Sequence, residues 1–156
     1  METISWPTWP QYGEQEWDAV RRVVTSNQLF ADCEVRLFED QFAEYVGVDY
    51  AVGLGNATEG LHLALAALDV GAGDEVIVTP YSWISSASCV LMQNAIPIFC
   101  DIESESLGLC PADVERRITQ KTKAIILVHM FGYPARVAQF VELSERYGIP
   151  LIEEAS

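Results

Sequence analysis

The chain has 156 residues, half of them hydrophobic and 21% charged, with ten glycines and seven prolines. That composition is enough for a globular unit with a real core and excludes the disordered and fibrous classes. A net charge of −14, with nine Lys and Arg spread along the chain, excludes a nucleic-acid surface, which needs clustered cations.

In chain order, the opening "METISWPTWP" has no basic stretch followed by an apolar run, so it is not a signal peptide. No later segment approaches the length of a membrane span. "GEQEWDAVRRVVTS" and "CEVRLFEDQFAEYVG" carry apolar residues at helical spacing, among them Val35, Phe38, Phe42, Tyr45 and Val46, and predict two helices joined by "NQLFAD". Residues 1–48 therefore read as a leading helical segment. From residue 49 the pattern changes. Strand-length apolar runs alternate with helical periods: "YAVGLG" before "TEGLHLALAALDV", "DEVIVTP" before "WISSASCVLMQNA", and "IPIFCDI" before "PADVERRIT". "KAIILVHMF" then precedes "ARVAQFVELSERYG", and "IPLIEE" comes last. The runs are continuously apolar, not alternating, which predicts burial on both faces of a mostly parallel sheet. Strands separated by helices give an α/β fold with helices on both faces.

The cysteines Cys33, Cys89, Cys100 and Cys110 form no Cys-x-x-Cys pair and have no zinc-ligand spacing with His62 or His129, so no metal site is expected. Cys89 and Cys100 sit in apolar contexts and read as core residues of a cytoplasmic protein.

Four stretches carry polar groups where strands end. In "GLGNATEGLHLAL" a strand runs into a turn and a helix, which suits a phosphate. Asn56 or Thr58 capping that helix is the plain alternative. The Walker pattern fails because Leu61-His62 stand where Lys-Ser or Lys-Thr is needed. The dinucleotide fingerprint fails because four residues separate Gly55 from Gly60, which counts against a Rossmann-type nicotinamide enzyme. In "TPYSWISSAS", Trp83 either stacks on a flat heterocycle or packs in the core. His129 closes the run Ile125-Ile126-Leu127-Val128. Glu153 and Glu154 close the last run, and Asp101 ends another. A phosphate cradle, an aromatic, an imidazole and a carboxylate on one sheet edge suit an aromatic heterocycle that bears a phosphate, and pyridoxal phosphate fits that description.

With those residues in view, "GNATEGLHLALAALDVGAGDEVIVTPYSWISSASCVL", "IPIFCDIESESLGL", "ITQKTKAIILVHMFGYPA" and "YGIPLIEEAS" resemble, in order, the DegT/StrS-type aminotransferases. The resemblance implies the large domain of a fold-type I enzyme that uses pyridoxal 5′-phosphate, acting in the cytoplasm as a homodimer. Its reaction would move an amino group from glutamate or glutamine to a keto sugar or cyclitol ketone. It further implies that Ala57, Thr58 and Glu59 hold the cofactor phosphate and that Trp83 stacks on the ring. His129 would sit beside the cofactor or support it structurally. Glu154 stands where the family has the aspartate that pairs with the pyridinium nitrogen, and Ala57 where it usually has glycine. The Schiff-base lysine of such enzymes has no counterpart here, since Lys121 and Lys123 begin the strand that His129 ends. Residues 49–156 thus read as an incomplete large domain with no second domain, inactive by itself. The alternative is a non-catalytic or split-enzyme module that needs a partner chain.

Overall fold

The computed structural model describes residues 8–30 and 33–156. They fall into two compact units that divide between Gly53 and Leu54.

The first unit contains α1 (Glu14–Ser26) and α2 (Cys33–Val46), the two helices that the apolar spacing predicts. The Gly13 N–H donates to the Glu16 carboxylate at 2.7 Å and closes the first turn of α1. Asn27 ends α1 in the left-handed conformation, and Gly47 does the same after α2. One turn apart on α2, the Phe38 and Phe42 rings meet at 5.7 Å. Trp17, Val20 and Val24 of α1 and Leu37, Phe38 and Phe42 of α2 remain exposed.

The run Tyr50–Gly55, expected as a strand, forms none. A strand exists only against a ladder partner, and no neighbouring strand among the described residues supplies one. Val52 and Leu54 stay exposed, and the two glycines between and after them offer no side chain to pack.

The second unit alternates as the sequence predicts. In order come α3 (Ala57–Ala67), β1 (Glu75–Val78), α4 (Ser85–Met92), β2 (Ile96–Phe99), α5 (Pro111–Arg117), β3 (Thr122–Val128), a 3₁₀ turn at Met130–Gly132, α6 (Val137–Tyr147) and β4 (Leu151–Glu154). The sheet order is β2-β1-β3-β4, and every pairing is parallel. Helices cover both faces. Leu61 and Leu65 of α3 and Cys89 and Val90 of α4 pack on Val76, Val78, Ala124, Ile126 and Val128. On the other face Val114 of α5 and Phe140 and Leu143 of α6 pack on Ile77, Ile125 and Leu127. Residues of β3 thus alternate between two cores, as strand geometry requires.

Burial on both faces holds at the centre of the sheet only: β2 is an edge strand, and Ile96 and Phe99 are nearly half exposed. Cys89 and Cys100 are fully buried, and burial pushes both thiols up to about 11, which keeps them unreactive near neutrality. Among the described residues no helix is long and apolar enough to cross a membrane.

One buried charge ties α5 to the end of β2. Asp113 is 3% exposed. Its carboxylate accepts the Asp101 N–H at 2.7 Å, Arg116 at 2.6 Å and Arg117 at 3.0 Å. The backbone N–H, with help from the two guanidinium groups, holds its carboxyl below the usual aspartate range. The resulting stabilisation is complete above the unfolded-state value of about 4 and is lost as pH falls through the lower folded value. Asp113→Ala should cost about 2 kcal/mol near pH 7, because it leaves the Asp101 N–H without its acceptor. In urea titrations the gap to the parent protein should close below about pH 4.

Candidate functional site

The carboxyl ends of β3 and β4 are locked side by side. Val128 pairs with Glu154, and the ladder continues where the His129 N–H donates to the Glu154 carbonyl at 2.9 Å. Parallel partners point to the same face, so the Glu154 side chain shares the face of Val128, while Glu153 shares that of Leu127. The two acids therefore serve opposite sides of the sheet. His129 follows Leu127 by two and meets Glu153, with Nε2 to Oε2 at 3.0 Å. Its Nδ1 accepts the Ala135 N–H at 3.1 Å. An Nδ1 that accepts must be unprotonated, so Nε2 carries the hydrogen and donates to Glu153.

On the Glu154 side lies a cleft of about 360 Å³. Its walls come from Ala57 and Thr58 at the start of α3, and from Ser82, Trp83 and Ser85 at the start of α4. Val128, His129, Met130 and Phe131 contribute where β3 ends, and Glu154 and Ser156 where β4 ends. Two helix N-termini thus open on one space with their positive dipole ends, although at α4 the Ser86 and Ala87 N–H groups already donate to the Trp83 and Ile84 carbonyls.

At α3 the cap is Asn56, whose side-chain oxygen accepts the Glu59 N–H at 3.0 Å. No acceptor among the described residues takes the N–H of Ala57 or Thr58. Ala57 begins the helix without a left-handed backbone, so this turn does not require glycine there. At α4 the residue before the helix, Ile84, supplies no side-chain cap. Ser85 is 8% exposed, and its hydroxyl has no partner among the described residues.

Of the residues singled out in the sequence, Ala57, Thr58, Trp83, His129 and Glu154 all line this cleft. Glu59 does not: its carboxylate accepts the Gly55 N–H at 3.1 Å and the Asn56 side-chain amide at 3.0 Å, which braces the turn from behind. Trp83 is 76% exposed, which excludes core packing and leaves its ring face open. Both ring nitrogens of His129 are engaged by protein groups. Its part is to anchor the 129–135 turn and to line the cleft without offering a nitrogen to a ligand. Sequence reasoning missed Ser82, Ser85, Phe131 and Ser156. The hydroxyl run in "YSWISS" was the one available signal for the first two. Lys121 and Lys123 lie at the opposite end of β3 from the cleft. Six residues of strand span roughly 20 Å, beyond a lysine's reach.

Comparison with known proteins gives this geometry a context. Residues 10–156 match the DegT/DnrJ/EryC1/StrS aminotransferase family. The chain belongs to that family. It is 40% identical to the L-glutamine:2-deoxy-scyllo-inosose aminotransferase of Streptomyces fradiae, over 100% of this chain and 38% of that protein. The solved aminotransferase of Psychrobacter cryohalolentis is 40% identical, with a TM-score of 0.90 over 96% of this chain and 38% of its own. 3-Amino-5-hydroxybenzoic acid synthase is 33% identical, with a TM-score of 0.93 over 97% of this chain and 40% of its own. The chain thus spans well under half the length of these relatives. The α/β sheet is that of fold-type I enzymes, and the family is one of pyridoxal-phosphate-dependent aminotransferases.

Phe131 stands at φ 56°, ψ 25°, left-handed for a residue with a side chain, and is 79% exposed at the cleft rim. Such a conformation costs about 1–2 kcal/mol. Phe131→Gly should therefore raise stability by about 0.5 kcal/mol after the glycine's extra unfolded-state entropy is set against the relief. Phe131→Val should lower stability, and urea unfolding of the two variants checks both signs.

Proposed function

We propose that residues 49–156 form the cofactor-binding part of the large domain of a pyridoxal-phosphate-dependent aminotransferase, with residues 1–48 leading into it. The amino group would pass from glutamine or glutamate to a cyclic ketone, a cyclitol ketone or a keto sugar. The observation that carries this reading is the composition of the cleft. Unclaimed N–H groups at α3, an open Trp83 face and the Glu154 carboxylate meet in one space, in a chain of this family. That donor and acceptor set fits a flat ring with a phosphate at one end and a basic nitrogen at the other.

In this reading the Ala57 and Thr58 N–H groups and the Thr58 hydroxyl bind the phosphate at the positive end of α3. Trp83 covers one face of the ring. Glu154 holds a proton on the ring nitrogen by charge pairing. Asn56 and Glu59 hold the phosphate turn in shape, and His129, fixed by Ala135 and Glu153, holds the wall where β3 ends. When bound, pyridoxal phosphate would supply the aldehyde carbon and the electron-accepting ring that amino exchange needs. The lysine that shuttles protons in such chemistry must come from outside residues 1–156, because neither Lys121 nor Lys123 reaches the cleft. The free thiols of Cys89, Cys100 and Cys110 support a reducing, cytoplasmic setting. The exposed apolar stripes of α1 and α2 support assembly as a homodimer.

Pyridoxamine 5′-phosphate lacks the aldehyde that would react with surface lysines, so it reports the cleft alone. It should quench the tryptophan fluorescence of this chain and bind at least roughly tenfold tighter than pyridoxamine. Thr58→Ala should narrow that gap, and equal affinity for the two compounds would overturn the phosphate assignment. The chain of residues 1–156 should transfer no amino groups from glutamine to a cyclitol ketone. Steady turnover would contradict the lysine argument.

A further inference from the structure

Glu154 is half-buried, and one of its two carboxylate oxygens is already occupied: Oε1 accepts the Ser156 N–H at 3.0 Å and also the Ser156 hydroxyl. Both bonds run from a residue two positions on and converge on the same oxygen, while Oε2 has no partner among the described residues. A glutamate has three side-chain torsions, and holding it in one shape costs conformational freedom. Two donors on one oxygen offset that loss, and they fold the carboxylate back along its own backbone. The neighbouring Glu153 is treated otherwise: it is exposed and accepts a single bond from His129 across the strand pair.

We propose that Ser156 is a positioning residue. It retracts the Glu154 carboxylate so that a single free oxygen, Oε2, meets a single N–H donor in the cleft. This rests on the reading of the cleft as a pyridine site and deepens it. A protonated ring nitrogen presents one N–H in the ring plane, and a one-oxygen acceptor matches it, whereas a guanidinium would call for both oxygens. The device also answers a length problem. An extended glutamate reaches one methylene further into the cleft than an aspartate at the same strand position would. Folding back onto Ser156 shortens that reach without removing the charge.

The test compares the affinity of this chain for pyridoxamine 5′-phosphate with that for its 1-deaza analogue, in which a C–H replaces the ring nitrogen. The ratio of the two affinities isolates the Glu154 contact from phosphate binding and from stacking. The parent chain should favour the pyridine, and Ser156→Ala should cut that preference by roughly tenfold, the worth of one hydrogen bond to a charged group. Ser156→Thr, which keeps the hydroxyl, should restore it. In a Glu154→Asp background Ser156→Ala should have little effect, because the shorter side chain needs no retraction. An undiminished preference in Ser156→Ala would overturn the positioning role and leave the cofactor reading intact. A parent chain that bound both compounds equally, or neither, would overturn the positioning role and the pyridine reading together.

Discussion

A strand buried on both faces cannot carry a polar side chain until it leaves the sheet. In β3 that constraint is severe, because Ala124 through Val128 are all buried and alternate between two cores. The first polar residue after them is His129. Parallel pairing then brings the carboxyl ends of β1, β3 and β4 to one edge, and the His129–Glu154 backbone bond fixes the last step of the ladder. The polar chemistry of the second unit gathers at this edge because the apolar core excludes it elsewhere.

The pleat then divides the work. Adjacent residues on a strand face opposite sides, so Glu153 and Glu154 cannot share a partner. Glu153 goes to the α5–α6 side and receives His129, whose other nitrogen takes the Ala135 N–H. This pins the turn that holds Phe131 and Gly132 in left-handed conformations. Glu154 goes to the α3–α4 side, where two helix N-termini open. A carboxylate there shares one space with two positive dipole ends, which polarises the cleft. A zwitterionic ligand, anionic at one end and protonated at the other, fits that gradient. The family of this chain uses such a compound.

Much of this was legible in the residues. Continuous apolar runs separated by helical periods specify parallel strands, and "EVIV", "IPIF", "TKAIILV" and "LIEE" all form them, with burial on both faces confined to the two central strands. Asn56 with Glu59 three positions on specifies a capped helix start. What local sequence cannot express is pairing and exposure. "YAVGLG" has strand composition and no ladder partner among the described residues, and pairing is a non-local property. Trp83 could have been core or open surface, and that depended on α4 beginning two residues later, at Ser85. Glu59, which the resemblance assigns to the phosphate, has a carboxylate that accepts the Gly55 N–H, a contact no local pattern announces. Phe131 gave no sign of its left-handed backbone, because that conformation is imposed by the turn around it and not by the phenylalanine.

We propose the face of the β3–β4 edge shared by Val128 and Glu154 as a binding site for a phosphorylated pyridine. A crystal structure of this chain soaked with pyridoxamine 5′-phosphate tests it most directly. The phosphate should lie against the Ala57 and Thr58 N–H groups, the ring over Trp83 and the ring nitrogen within hydrogen-bond distance of Glu154 Oε2. A ligand bound instead in the groove beside Tyr133 and Arg136, or with its phosphate away from α3, would contradict it.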